Sequence, residues 1–256
     1  MPYLCMGHPE LESALELVPA LVEGGADLIE LGVPYSDPLA DGATIQAASQ
    51  RALENGMSLA LCLEQVAALR GESIEVPLLL MGYYNPIFQM GVQAFVERAR
   101  VAGVDGLIVP DLPPEEAAEL QGALREQEMD LIFLLAPTSD DARVQQVAAQ
   151  ASGFLYLVSL VGVTGARDRL PPELEAFINR VRRASDLPLA VGFGIGTPVQ
   201  AQRVAAAADG VIVGSALIRA VGDAHASGQS PAQAAGAFVA SLRTGIDRGP
   251  PQGSRP

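Results

Sequence analysis

Residues 187–220, LPLAVGFGIGTPVQAQRVAAAADGVIVGSALIRA, contain the same pattern twice. A short apolar run, LPLAV and then GVIV, ends in a glycine-rich turn and gives way to a segment of helical period. Strands that are apolar at every position are buried on both faces, as parallel strands under covering helices are. The same unit recurs upstream. PYLCM (2–6) precedes LESALELVPALVEGG (11–25), DLIELGV (27–33) precedes LALCLEQVAALRG (59–71), and VPLLLMGYY (76–84) precedes VQAFVERARVAG (92–103). VDGLIVP (104–110), MDLIFLLAP (129–137) and FLYLVSL (154–160) follow, each ahead of its own helical segment. Eight strand-plus-helix units in 256 residues predict a single α/β domain of the (β/α)8 TIM barrel type. An open doubly wound sheet has about five or six such strands, and no GxGxxG follows the first strand here.

With 49% apolar and 18% charged residues, the chain can bury one sizeable core, expected over 1–247, with 248–256 as a frayed tail. Sixteen basic residues against thirty acidic ones give a net charge of −14, which argues against a general affinity for nucleic acid or an anionic membrane. All sixteen basic residues are Arg, and the only histidines are His8 and His225. A Schiff-base aldolase or pyridoxal enzyme needs a Lys amine, a P-loop needs its Lys, and a zinc hydrolase draws on clustered His. Acid–base work is therefore left to carboxylates, Tyr or Cys. Cys5 and Cys62 belong to no CxxC or Cys-His arrangement, which suits a reduced, intracellular setting. There is no basic-flanked apolar leader and no run of about twenty apolar residues, so a soluble cytoplasmic protein is expected.

In a barrel the loops after the strands form the active face. Two of these are long here, 33–56 after strand 2 and 160–173 after strand 6, as ligand-binding or lid segments are. Glu30 ends strand 2 in the same alternating row as Leu28, a row that faces the barrel interior. Burial there would raise its pKa, the useful direction for an acid–base group, whereas a structural role would pair it with an Arg. Asp41, in LADGAT, reads either as a turn residue, like Asp37 before Pro38, or as a second carboxylate folded back over the same strand end. Tyr83, Tyr84 and Asn85 end strand 3, with the tyrosines placed to line a pocket for a flat ligand or to pack as ordinary aromatics. Asp111 ends strand 4 and reads as the N-cap of the following helix, with Pro in its first turn. Glycine-rich turns at GVTGAR, GFGIGTP and VGSAL, with helices expected just after Gly194 and Gly214, match the phosphate site that barrels build from their last loops and a helix N-terminus. Backbone N–H groups would hold the dianion there without Lys.

The stretches ELGVPYSDPLADGATIQ (30–46), MGYYNPIF (81–88), GLIVPDLPPEE (106–116), LVGVTGAR (160–167), VGFGI (191–195) and VIVGSAL (211–217) resemble, in this order and over nearly the whole chain, the tryptophan synthase alpha subunit family. The resemblance implies a lyase that cleaves indole-3-glycerol phosphate to indole and glyceraldehyde 3-phosphate, with no metal or organic cofactor. It implies Glu30 as the general acid–base and Asp41 as the carboxylate that accepts the indole N–H. Tyr83 and Tyr156 match aromatic positions near the substrate, and Thr164 matches a lid Thr that bonds the loop Asp. Tyr3, Ile45, Gln46 and Phe193 match positions around the indole, and Gly165, Gly194, Gly214 and Ser215 match the phosphate cradle. The implied partner is a pyridoxal-phosphate-dependent beta subunit in an alpha2beta2 assembly. Two departures stand out: the sequence begins at strand 1, without the helix that precedes it in the family, and Leu160-Val161 replace a small-polar pair. A catalytically weak barrel kept as an allosteric subunit and a different phosphosugar isomerase or epimerase remain the alternative readings.

Overall fold

The computed structural model describes residues 1–159, 171–192 and 194–249. Eight strands form: β1 (Tyr3–Cys5), β2 (Ile29–Gly32), β3 (Leu78–Met81), β4 (Gly106–Ile108), β5 (Asp130–Leu135), β6 (Leu155–Val158), β7 (Leu189–Gly192) and β8 (Gly210–Val211). They pair in parallel in sequence order. A bridge between Pro2 and Val213 joins the last strand to the first, with the Tyr3 amide donating to Val213 O at 2.8 Å and the Val213 amide to Met1 O at 3.0 Å. The sheet is thus closed, and the expected TIM barrel is present.

Helices cover the outside. The first half carries α1 (Ser13–Glu23), α2 (Ala43–Glu54), α3 (Leu59–Gly71), α4 (Tyr84–Met90), α5 (Val92–Ala102) and α6 (Ala118–Glu126). The second carries α7 (Asp141–Gln150), α8 (Pro172–Arg182), α9 (Pro198–Ala205), α10 (Ser215–Ala226) and α11 (Pro231–Asp247). Alternate strand residues face opposite sides of the sheet and feed two separate cores. Leu79, Ile108, Ile132, Phe154, Tyr156 and Ile212 pack inside the barrel. Their strand neighbours, among them Leu78, Leu80, Leu107, Leu155 and Val191, pack outward against helix residues such as Leu21, Val66, Phe95 and Leu124. Both faces are dry, which explains why the strands read as unbroken apolar runs.

The N-terminal end of the barrel is held by one device used twice. Asp105 accepts the Leu78 amide at 2.7 Å and pairs with Arg70 of α3, while Asp209 accepts the Leu189 amide at 2.9 Å and pairs with Arg182 of α8 at 3.0 Å. In each case the aspartate before one strand caps the start of the preceding strand. The two copies sit four strand-plus-helix units apart.

Three expectations need correction. The long segment after β2 is a loop only as far as Gly42, because ATIQAASQRALE forms α2 and buries Ala48, Ser49 and Ala52. Good helix formers with small residues at helical spacing overrode the Gly/Pro/Asp character of the ten residues ahead of them. Asp111 does not cap the helix that follows it. That helix, α6, begins at Ala118 without a side-chain cap, whereas Asp111 Oδ1 accepts the Tyr84 amide at 2.9 Å and so caps α4 on the neighbouring strand connection. The helix expected just after Gly194 starts at Pro198 with Thr197 as its N-cap.

Candidate active site

Glu30 on β2 is in register with Tyr3 on β1 and Leu79 on β3, so its side chain shares their inward face. It is fully buried, and neither carboxylate oxygen has a hydrogen-bond partner among the described residues. No arginine pairs with it there. Loss of hydration raises its pKa from an ordinary 4.5 to about 8, opposed in part by the Met1 ammonium. At neutral pH it is a carboxylic acid ready to donate.

At the C-terminal mouth of the barrel lies a cavity of about 710 Å³. Tyr3 and Tyr156 line it from opposite parts of the sheet, and each needs a glycine beside it. A Cβ on Gly32 would run into the Tyr3 ring and hydroxyl, and one on Gly192 would sit 2.7 Å from the Tyr156 hydroxyl. Any larger residue at these positions would push the rings out of place. Burial pushes both phenols well above their usual range, so both are neutral.

Asp41 reaches the same cavity from the β2–α2 loop, and Ile45 joins it from the first turn of α2. The Tyr83 hydroxyl donates to Asp41 Oδ2 at 3.2 Å and accepts the Ala40 amide at 2.9 Å. Its ring stacks on Tyr35 at 5.1 Å. Burial raises the Asp41 pKa, and the Tyr83 hydrogen bond opposes that rise by favouring the ionised form. Tyr83 and Gln46 do not line the cavity. Tyr83 grips the carboxylate from outside it, and exposed Gln46 donates to the Asp41 carbonyl at 2.8 Å.

Gly194, Gly214 and Ser215 meet at one end of the cavity. Gly194 has φ +75°, a backbone state that other residues adopt at a cost. Helix α10 begins at Ser215 with no side-chain cap, so its first-turn N–H groups have no partner within the helix. Neighbouring α9 differs: Thr197 caps the Gln200 amide, and the Gln200 side chain takes the Gly196 and Thr197 amides. Of the two adjacent helix starts, only that of α10 is left open for an anion. Arg219 lines this region too. No motif marks it in the sequence, although its place four residues after Ser215 puts it on the same face of α10. Thr164, Gly165 and Phe193 lie outside the described residues. Among the described residues no group of three His, Cys, Asp or Glu side chains could hold a metal ion.

Comparison with known proteins gives this barrel a family. The family model for the tryptophan synthase alpha chain matches residues 1–246. The chain belongs to that family. A tryptophan synthase alpha chain from Dehalococcoides mccartyi is 55% identical over 86% of this chain and 86% of its own length, and one from a Roseiflexus species is 54% identical over 95% and 92%. Among solved structures, the tryptophan synthase alpha subunit of Legionella pneumophila superposes with a TM-score of 0.90 at 42% identity, covering 96% of this chain and 92% of that one. A tryptophan synthase complex from Pyrococcus furiosus contains a chain that superposes with a TM-score of 0.85 at 37% identity over 95% and 96%. As a tryptophan synthase alpha chain, the protein is a lyase that cleaves indole-3-glycerol phosphate in tryptophan biosynthesis. No described helix is long and apolar enough to cross a membrane.

Proposed function

We propose that Glu30 carries both proton transfers of this cleavage and that Asp41 stabilises the charge that develops on the ring between them. The observation that carries the assignment is the buried Glu30 carboxyl, with no hydrogen-bond partner among the described residues and a pKa raised to about 8. As an acid it protonates indole C3, which leaves positive charge on the ring nitrogen. Asp41 accepts the N–H of that cation. Glu30, now a carboxylate, takes the proton from the glycerol hydroxyl next to the breaking bond. The C–C bond electrons then return to the ring, giving indole and the aldehyde, and Glu30 ends protonated as it began. The pair released by the breaking C–C bond returns to the ring that the first protonation made electron-poor, so the substrate supplies its own electron sink. For both transfers the Glu30 carboxyl must come within about 3 Å of the reacting atoms.

Tyr3, Tyr156 and Ile45 would enclose the indole, with Gly194, Gly214, Ser215 and the start of α10 holding the phosphate. The single domain extends over 1–247. Indole is neutral and apolar enough to leak through lipid, which favours direct transfer to a pyridoxal-phosphate-dependent beta subunit in a cytoplasmic alpha2beta2 assembly. Leu39 and Phe88, 94% and 59% exposed at the mouth of the barrel, provide apolar surface for that partner. Steady-state cleavage of indole-3-glycerol phosphate by E30Q tests the assignment. The expected loss is at least about 100-fold, and retention of more than about a tenth of wild-type turnover would remove Glu30 from the mechanism.

A further inference from the structure

We propose that Arg219 is a phosphate-recognising residue of the substrate site, pairing with an anionic oxygen of a phosphate monoester beside the N–H groups at the start of α10. This rests on the reading of that end of the cavity as the phosphate cradle. Arg219 lines the same cavity as Gly214 and Ser215, one helical turn, or about 6 Å, beyond Ser215 on the same face. Helical side chains lean toward the N-terminus of their helix, so the Arg219 stem runs back toward the cradle and not away from it.

Among the described residues its guanidinium is in no ion pair. Arg51, Arg70, Arg143, Arg180, Arg182 and Arg243 are all in ion pairs. Arg219 makes one 3.4 Å hydrogen bond to the neutral hydroxyl of Thr44 and no ion pair with Asp223, which lines the same cavity one turn further along α10. An exposed arginine held this weakly can move to a better acceptor with little loss. The chain carries a net charge of −14, and a helix start contributes only about half a positive charge against a phosphate dianion. A full cation one turn away supplies most of the remainder, in a planar fork suited to phosphate oxygens.

The test measures competitive inhibition by glycerol 3-phosphate and by inorganic phosphate, together with turnover of indole-3-glycerol phosphate and of unphosphorylated indole-3-glycerol, with saturating beta subunit. R219Q is expected to weaken both inhibitors about tenfold and to raise KM for the phosphorylated substrate with kcat nearly unchanged. It should also flatten the dependence of binding on ionic strength and leave indole-3-glycerol unaffected, and R219K should recover most of the loss. Gly214→Val is the control for the cradle itself. If G214V loses phosphate binding and R219Q does not, the role of Arg219 is overturned and the cradle stands. If neither variant changes inhibition, the cradle reading falls and the Arg219 proposal with it. An equal loss by R219Q on the phosphorylated and unphosphorylated substrates would also overturn the proposal, because Arg219 would then act only by holding Thr44.

Discussion

Replacing Glu30 with Gln should make the protein more stable as the pH rises, even as it removes activity. The carboxyl is fully buried with no hydrogen-bond partner among the described residues, and burial pushes its pKa up to about 8 from an ordinary 4.5. At about 1.4 kcal/mol per pH unit, that gap makes the ionised form cost the fold on the order of 5 kcal/mol. A folded-state pKa above the unfolded one means that the native protein holds the proton more tightly. The stability contribution is therefore complete below about pH 4.5 and is lost as the pH rises through about 8. The amide that E30Q introduces cannot ionise, so relative to pH 4 the variant should gain on wild type by about 3 kcal/mol at pH 7 and by on the order of 5 kcal/mol at pH 9. A buried amide adds its own cost, but that cost is constant with pH and shifts the whole comparison without changing its slope. Urea unfolding of both proteins at pH 4, 7 and 9 and fixed salt reads the difference from the midpoints, provided that the slopes agree. A difference flat to within about 0.5 kcal/mol across that range would refute the reasoning, because it would mean that Glu30 is hydrated or paired in the native state.

Tyr83→Phe keeps the ring on Tyr35 but removes the donor to Asp41 Oδ2 and the acceptor for the Ala40 amide. The Asp41 carboxyl should then titrate higher, moving the acid limb of kcat/KM upward; an unmoved limb would show that Tyr83 does not tune Asp41. Asp209→Ala removes the Arg182 pair and leaves the Leu189 amide without its acceptor. Because the pair is partly solvated, most of the expected loss of about 1–3 kcal/mol in urea unfolding comes from the stranded amide. Activity per folded molecule should be unchanged, and an activity loss without a stability loss would count against a purely structural clamp at Asp209.

The strands were readable because their signal is local. A strand buried on both faces must be apolar at nearly every position, and a period of two then places Glu30 inside the barrel before any contact is known. The same locality marked Asp41, the uncapped glycine start of α10 and the residues that carry the family resemblance. What one stretch could not reveal was its partner from another. Nothing near Asp111 says that it caps α4, 27 residues back in the chain. Nothing near Tyr83 says that it holds Asp41, 42 residues away, and nothing near Arg219 places it on Thr44, 175 residues away. The phase of α2 separates Ile45, on the cavity wall, from Gln46, outside it, although the two are adjacent in the motif. The state of Glu30 also belongs to the tertiary level. Its inward direction follows from strand periodicity, but its pKa depends on which groups fail to reach it: closure of eight strands removes the carboxyl from water, and among the described residues no arginine holds its charge.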